Sequence, residues 1–341
     1  MEILIGLLII ALGSFGQSSS YVPIKKVKDW SWESFWLVQG IFAWLVFPLL
    51  GAGLGIPEGE TLTSLWAKGN IPLIMGYGAL WGVGGLTFGL SMRYLGVALG
   101  QSIALGTCSG FGTILPALLA GTDLLHGQGL MLLIGVSLTL AGIAVIGYAG
   151  SLRAKGMSEE EQKEAVKDFA LTKGLLVALL CGVMSACFAL GLEAGGSIKA
   201  ASLEAGVDAL YAGLPVILLV TLGGFITNAS YCLWQNAKNS TFADYAKWNV
   251  WPRNLFFCAL AGVLWYSQFF GLEVGKSFLT GSAVLLAFSW SILMALNVTF
   301  SNVWGIILKE WKDCSRGTIV VLLCGLLLLI GSIVVVAVAQ Q

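Results

Sequence analysis

Charge is scarce in this chain: only 11% of its 341 residues are Asp, Glu, Lys or Arg, whereas 57% are hydrophobic. Soluble globular domains carry about 25% charged residues. So small a share cannot cover the exterior of a water-borne fold holding this much apolar surface. Histidine is nearly absent, with His126 alone, and no group of His, Cys, Asp and Glu has the spacing of a metal site or catalytic triad. The seven cysteines contain no C-x-x-C pair, and all but Cys314 lie in apolar runs. They read as small core residues rather than disulfide partners or metal ligands. Net charge is zero, which argues against nucleic acid as a partner. No cofactor is implied.

What the chain has is long apolar runs and 45 glycines, with a mean hydropathy of +0.87. About 20 consecutive apolar residues cross a bilayer core, and small residues let membrane helices approach closely. Ten such runs extend from Ile3 to Val22, Ser34 to Leu54, Ile71 to Ser91, Val97 to Ala120, Gly129 to Gly150, Leu171 to Ala194, Ala209 to Leu233, Leu255 to Leu272, Thr280 to Leu308 and Thr318 to Val338. The predicted fold class is therefore all-α, a polytopic membrane protein with about ten transmembrane helices and the lipid bilayer as its first partner.

Of the 18 Lys and Arg residues, only Lys68, Lys199 and Lys276 fall in connections after even-numbered spans. Cytoplasmic loops are the basic ones, so the odd connections are predicted cytoplasmic and both termini outside. Met1 and Glu2 precede the first run without a basic residue, unlike a secretory signal. The run is read as a retained helix. Between the fifth and sixth spans, Ser158 and Glu161 match a capping box, and Glu159, Glu160, Glu161, Lys163, Glu164, Lys167 and Asp168 predict a solvated linker helix.

That linker separates two halves with short internal echoes. Ala79–Val83 (ALWGV) resembles Ala259–Val263 (ALAGV), and Leu133–Val136 (LIGV) resembles Leu323–Leu326 (LCGL). Each match is five spans apart, an odd number, so the second copy is expected to be inverted in the membrane. The expected organisation is a first five-helix repeat over 1–150, a cytoplasmic linker over 151–173 and a second repeat over 174–341. Inverted repeats are a recurring build for secondary transporters, with substrate bound near the midplane.

Of the acids, Glu193 lies in a span and Glu273 directly follows one, both near the outward ends of their helices. Intramembrane ions are costly and mark function, so their scarcity favours a neutral cargo, and these two acids are the candidate proton carriers. Neutral hydrogen-bonding and aromatic residues are plentiful instead. Gln17, Tyr21, Gln39, Trp81, Gln101, Asn228, Trp265, Gln268, Ser289, Trp290 and Asn297 are the candidate substrate-binding residues. Sugar hydroxyls need amide or hydroxyl partners, and sugar C–H faces pack on aromatic rings. Trp265 and Gln268, three apart, share a helix face. Each amide has the competing reading of a bond that glues helices together. Gly271–Ser277 (GLEVGKS) is one residue short of a phosphate loop. Asn239-Ser-Thr241 is a glycosylation sequon that charge places in the cytoplasm. Trp30, Trp32, Trp66, Trp234, Trp248, Trp251 and Trp311 flank spans as expected interfacial anchors.

Lys25–Glu33 (KKVKDWSWE), Met92–Gly96 (MRYLG), Gly206–Tyr211 (GVDALY) with Leu214-Pro215, Trp265–Phe270 (WYSQFF) and Leu308–Trp311 (LKEW) resemble the bacterial L-rhamnose–proton symporter family, in order and from first span to last. That family belongs to the drug/metabolite transporter superfamily, with ten helices in two inverted halves. The resemblance implies import of a neutral sugar, L-rhamnose or a related 6-deoxyhexose, by proton symport across a bacterial inner membrane. The alternatives are an exporter of small amphipathic metabolites or a membrane sugar sensor, while no residue set supports an enzyme. Na⁺ in place of H⁺, and a homodimer, stay open.

Overall fold

A computed structural model describes residues 1–95, 97–156 and 170–339. The linker helix expected around Ser158 to Asp168 lies outside the described residues. Among those described, the fold is helical, with no strand. Ten helices are long and apolar enough to cross a membrane: Glu2–Ile24, Trp32–Gly53, Ile71–Met92, Gly100–Leu119, Gly127–Lys155, Leu171–Glu204, Leu214–Asn239, Trp251–Ser277, Ala283–Ile307 and Arg316–Val338. The chain is thus a multi-pass α-helical membrane protein. Helices are the form in which every backbone N–H and C=O is satisfied within the segment, as hydrocarbon demands.

Local chemistry sets the ends. Pro215 and Pro252 stand in the first turns of the seventh and eighth spans, where a missing N–H costs no helical bond. The Ser282 and Ser315 hydroxyls accept the Leu285 and Thr318 amides and cap the ninth and tenth. Ser240 ends the seventh span with φ 57°, its amide bonded to the Asn236 carbonyl. The seventh span begins later than hydropathy suggests because residues 207–213 are turns and loop leading into Pro215. The sixth is extended by the short helix Gly196–Glu204. Gly271–Ser277 is the helical end of the eighth span, so no phosphate loop exists there.

The helices gather into two compact units. One combines Ile3–Gly82 with Leu190–Phe278, the other Val83–Ala189 with Leu279–Gln341. Each therefore draws on both halves of the sequence. In the first unit, the first and eighth spans meet through glycine: a Cβ at Gly271 would lie 3.1 Å from Gly13 Cα. In the second unit, the fifth and tenth meet likewise, and a Cβ at Gly142 would lie 3.1 Å from the Leu329 amide nitrogen. A methyl at either place pushes two backbones apart.

Candidate functional site

The first unit holds an aromatic cluster at mid-span depth. Trp44 sits among three other indoles, with ring centroids 5.8 Å from Trp36, 6.2 Å from Trp81 and 5.7 Å from Trp265, each edge to face. Trp81 and Trp265 lie 5.8 Å apart, and Phe269 meets both. Trp44, Trp81, Trp265 and Asn228 all fall within about two residues of the middle of their spans. At about 1.5 Å rise per residue, that is about 3 Å along the axis. Trp44 is buried, whereas Trp36, Trp81 and Trp265 keep part of their surfaces accessible.

Among the expected site residues, Gln39, Trp81, Asn228, Trp265 and Gln268 all belong to this unit. Asn228 is fully engaged: its amide nitrogen donates to the Gly224 and Gly82 carbonyls at 2.9 and 3.4 Å, and its oxygen accepts from Trp36 Nε1 at 3.4 Å. It therefore ties the third and seventh spans together and orients an indole. Gln268 donates to the Trp265 carbonyl at 3.1 Å. Gln39 is 2% exposed, and its side-chain oxygen has no hydrogen-bond partner among the described residues. The same holds for Trp44 Nε1 and the Tyr266 hydroxyl. Leaving a buried polar atom unpaired costs about 1–3 kcal/mol, and Trp44 Nε1 is such an atom inside the aromatic cluster. Gln17 and Tyr21 close the first span, Gln17 accepting from Ser18 at 3.3 Å and Tyr21 half exposed.

Gln101, Ser289, Trp290 and Asn297 belong to the second unit. There Trp290 stacks on Phe188 at 5.7 Å and donates to the Cys108 carbonyl at 3.2 Å. Ser291, one residue on, joins Ser109 and Thr113 in a buried hydroxyl cluster. Ser289 bonds back to the Leu286 carbonyl. Trp290 and Ser289 thus satisfy their polar atoms inside the unit.

The two candidate acids separate. Glu273 is buried and ion-paired with Lys199, on the short helix that extends the sixth span. Its carboxyl lies against Gly213, where any Cβ would collide with it. Lys276 is within electrostatic reach of Glu273, Lys199 and Glu193. Glu193 itself is exposed. Sequence reasoning missed Lys199, a lone cation with nothing in its spacing to mark it. Trp36 and Trp44 were also missed, although their eight-residue separation around Gly40 was a visible signal.

The most specific sequence block, Lys25–Glu33, builds a clasp at one end of the first unit. Asp29 adopts φ 56° and its carbonyl accepts from Lys247 at 2.6 Å. Trp30 packs on Tyr245 and Trp251, and Glu33 accepts from Asn239 at 2.9 Å and Thr241 at 2.8 Å. The Asn239 and Thr241 side chains of the sequon are thereby occupied. Asp244 receives the Ser31 amide at 2.7 Å and Lys247 at 2.6 Å. Burial acts to raise the Asp244 carboxyl, but the bonds from Lys247, Ser31 and Ser34 outweigh it and hold the pKa at about 2, below the ordinary 3.8. The second unit has a counterpart in Arg153, which lies over the buried Trp311 ring at 5.2 Å and reaches Glu310 at 3.5 Å. Trp30, Trp66 and Trp311 are therefore spent on internal contacts, Trp66 donating to the Pro215 carbonyl at 3.0 Å. Trp32, Trp234 and Trp248 are the exposed ones, as anchors should be.

Among the described residues, ten apolar helices, a mid-span aromatic cluster with an unpaired indole N–H and the Lys199–Glu273 ion pair define a polytopic membrane protein of the transporter class. The chain matches the family described as L-rhamnose-proton symport protein (RhaT) over residues 1–340, and belongs to it. It is 32% identical over 335 residues to the L-rhamnose-proton symporter of Yersinia pestis (strain Pestoides F), with 96% of this chain and 95% of that protein covered. Identity and coverage are the same with the symporter of Yersinia pseudotuberculosis serotype O:1b (strain IP 31758).

Proposed function

We propose that this protein imports a neutral sugar, L-rhamnose or a related 6-deoxyhexose, by proton symport. The mid-span aromatic cluster carries the reading, because partly exposed indoles beside unpaired amide and N–H groups suit a ligand with both C–H faces and hydroxyls. Family membership and the names of the relatives supply the substrate class. Trp81 and Trp265 pack against the sugar, Gln39, Trp44 and Gln268 bind hydroxyls, and Asn228 holds Trp36 in place. Gln17 and Tyr21 in the first unit and Gln101 and Asn297 in the second are further candidates, while Ser289 and Trp290 serve as scaffold.

Glu273 is the proposed proton carrier. A proton on its carboxylate removes the charge that Lys199 neutralises, so proton binding and breakage of the ion pair are one event. Lys199 already fills the cation position beside the carboxylate, which favours H⁺ over Na⁺. Glu193, being exposed, is the lesser candidate. In this reading the chain sits in a bacterial inner membrane; the basic connections favour both termini outside, and the halves 1–150 and 174–341 are inverted repeats joined by the linker 151–173. All of these residues belong to one chain.

Uptake of labelled L-rhamnose into proteoliposomes, competed by L-fucose, L-lyxose and D-glucose, tests the proposal. The expected result is accumulation driven by an inward proton gradient, blocked by rhamnose and indifferent to glucose. Folded protein that accumulates no rhamnose under either gradient direction sinks it.

A further inference from the structure

The second span is not a continuous α-helix. Residues Ile41–Val46 form a π-helical turn, closed by the Phe47 amide on the Phe42 carbonyl. Such turns account for well under about 1% of residues and are frequent at functional sites. Pro48 supplies part of the cause, since it cannot donate to the carbonyl four residues earlier. A proline kink alone does not explain what the turn does to side chains. It lays the Trp44 ring directly on Gly40, where a Cβ would lie 2.6 Å from Trp44 Cζ3. Gly40 is therefore obligatory for the placement. The result is a Trp44 that is 4% exposed with an unpaired indole N–H, one turn from a Gln39 that is 2% exposed with an unpaired side-chain carbonyl.

We infer that the π-turn is a recognition device that delivers Trp44 Nε1–H as donor and Gln39 Oε1 as acceptor to adjacent hydroxyls of one pyranose. This rests on the sugar-transport reading and deepens it. Trp81 and Trp265, the partly exposed rings next to Trp44, take the apolar face of the same sugar. A donor and an acceptor fixed this way discriminate hydroxyl position. A ligand lacking the matching hydroxyl leaves a buried polar atom unpaired, which a purely apolar pocket would not notice.

The test is displacement of labelled L-rhamnose from purified full-length protein by a set of monodeoxy rhamnose analogues, in wild type, Trp44→Phe and Gln39→Met. Wild type is expected to bind one or two of the analogues about tenfold more weakly than rhamnose. Trp44→Phe keeps an aromatic ring without the N–H, and is expected to bind rhamnose about tenfold more weakly while no longer distinguishing one of those analogues. Gln39→Met is expected to lose discrimination at the neighbouring hydroxyl, and reads out the proposal independently if Trp44→Phe does not fold. Wild-type ratios retained in folded variants overturn the inference and leave sugar transport standing. Folded wild type that binds no rhamnose overturns both.

Discussion

Lys199 and Glu273 are 74 residues apart in the chain, yet the Lys199 ammonium closes directly on the buried Glu273 carboxylate. The pair is asymmetric, with the lysine side chain 35% exposed and the glutamate 5%. Glu273→Gln is expected to abolish gradient-driven accumulation while keeping rhamnose–rhamnose exchange, because exchange needs no net proton movement. Glu193→Gln is expected to retain both. Accumulation by Glu273→Gln at the wild-type level would remove this residue from coupling.

Breaking the pair from the other side leaves a buried acid without its cation. Lys199→Met is expected to lower stability in detergent by about 1–3 kcal/mol, less than for a fully buried pair because solvent reaches the lysine. Adding Glu273→Gln to it is expected to restore most of the loss. Equal melting of Lys199→Met and wild type would show that the pair contributes nothing to stability.

At the clasp, Asp244 has the depressed pKa of about 2 described above. A carboxyl lowered from 3.8 by these bonds stabilises the fold fully above pH 4, and that contribution is lost as pH falls through 2. Asp244→Asn is expected to cost about 2 kcal/mol at neutral pH. The gap between variant and wild type should narrow as the pH is lowered from 4 to 2. Thermal melts followed by circular dichroism across that range measure it, and a gap independent of pH contradicts the assignment.

Trp265→Ala opens the mid-span cluster, whereas Trp248→Ala removes a ring that is 76% exposed. Rhamnose binding is expected to fall at least tenfold in the first and to be unchanged in the second. Matched losses in both would indicate a general effect on folding.

Much of this was legible in the sequence. The ten spans were visible because hydrocarbon demands about 20 apolar residues per crossing, whatever the partners. Trp81, Trp265, Gln39 and Gln268 stood out as polar or aromatic groups at depth. Trp44 did not, because its importance depends on a π-turn that rotates it over Gly40, and no hydropathy pattern encodes that. Lys199 looked like a loop charge, since its partner is brought to it only by packing between the sixth and eighth spans. Asn228 and Trp290 stood out as polar groups at depth, and that their polar atoms are bonded inside their units is a matter of packing that spacing does not encode. The Lys25–Glu33 block, the strongest family signature, builds a clasp at one end of the first unit.

The most direct test of symport is to watch the proton itself. L-rhamnose is added to proteoliposomes holding a pH-sensitive dye, with no imposed gradient and with potassium and valinomycin to clamp the voltage. Symport predicts that rhamnose acidifies the lumen, that D-glucose does not, and that Glu273→Gln abolishes the signal. Rhamnose equilibrating across the membrane with no change in lumenal pH would contradict proton coupling and leave a facilitator in its place.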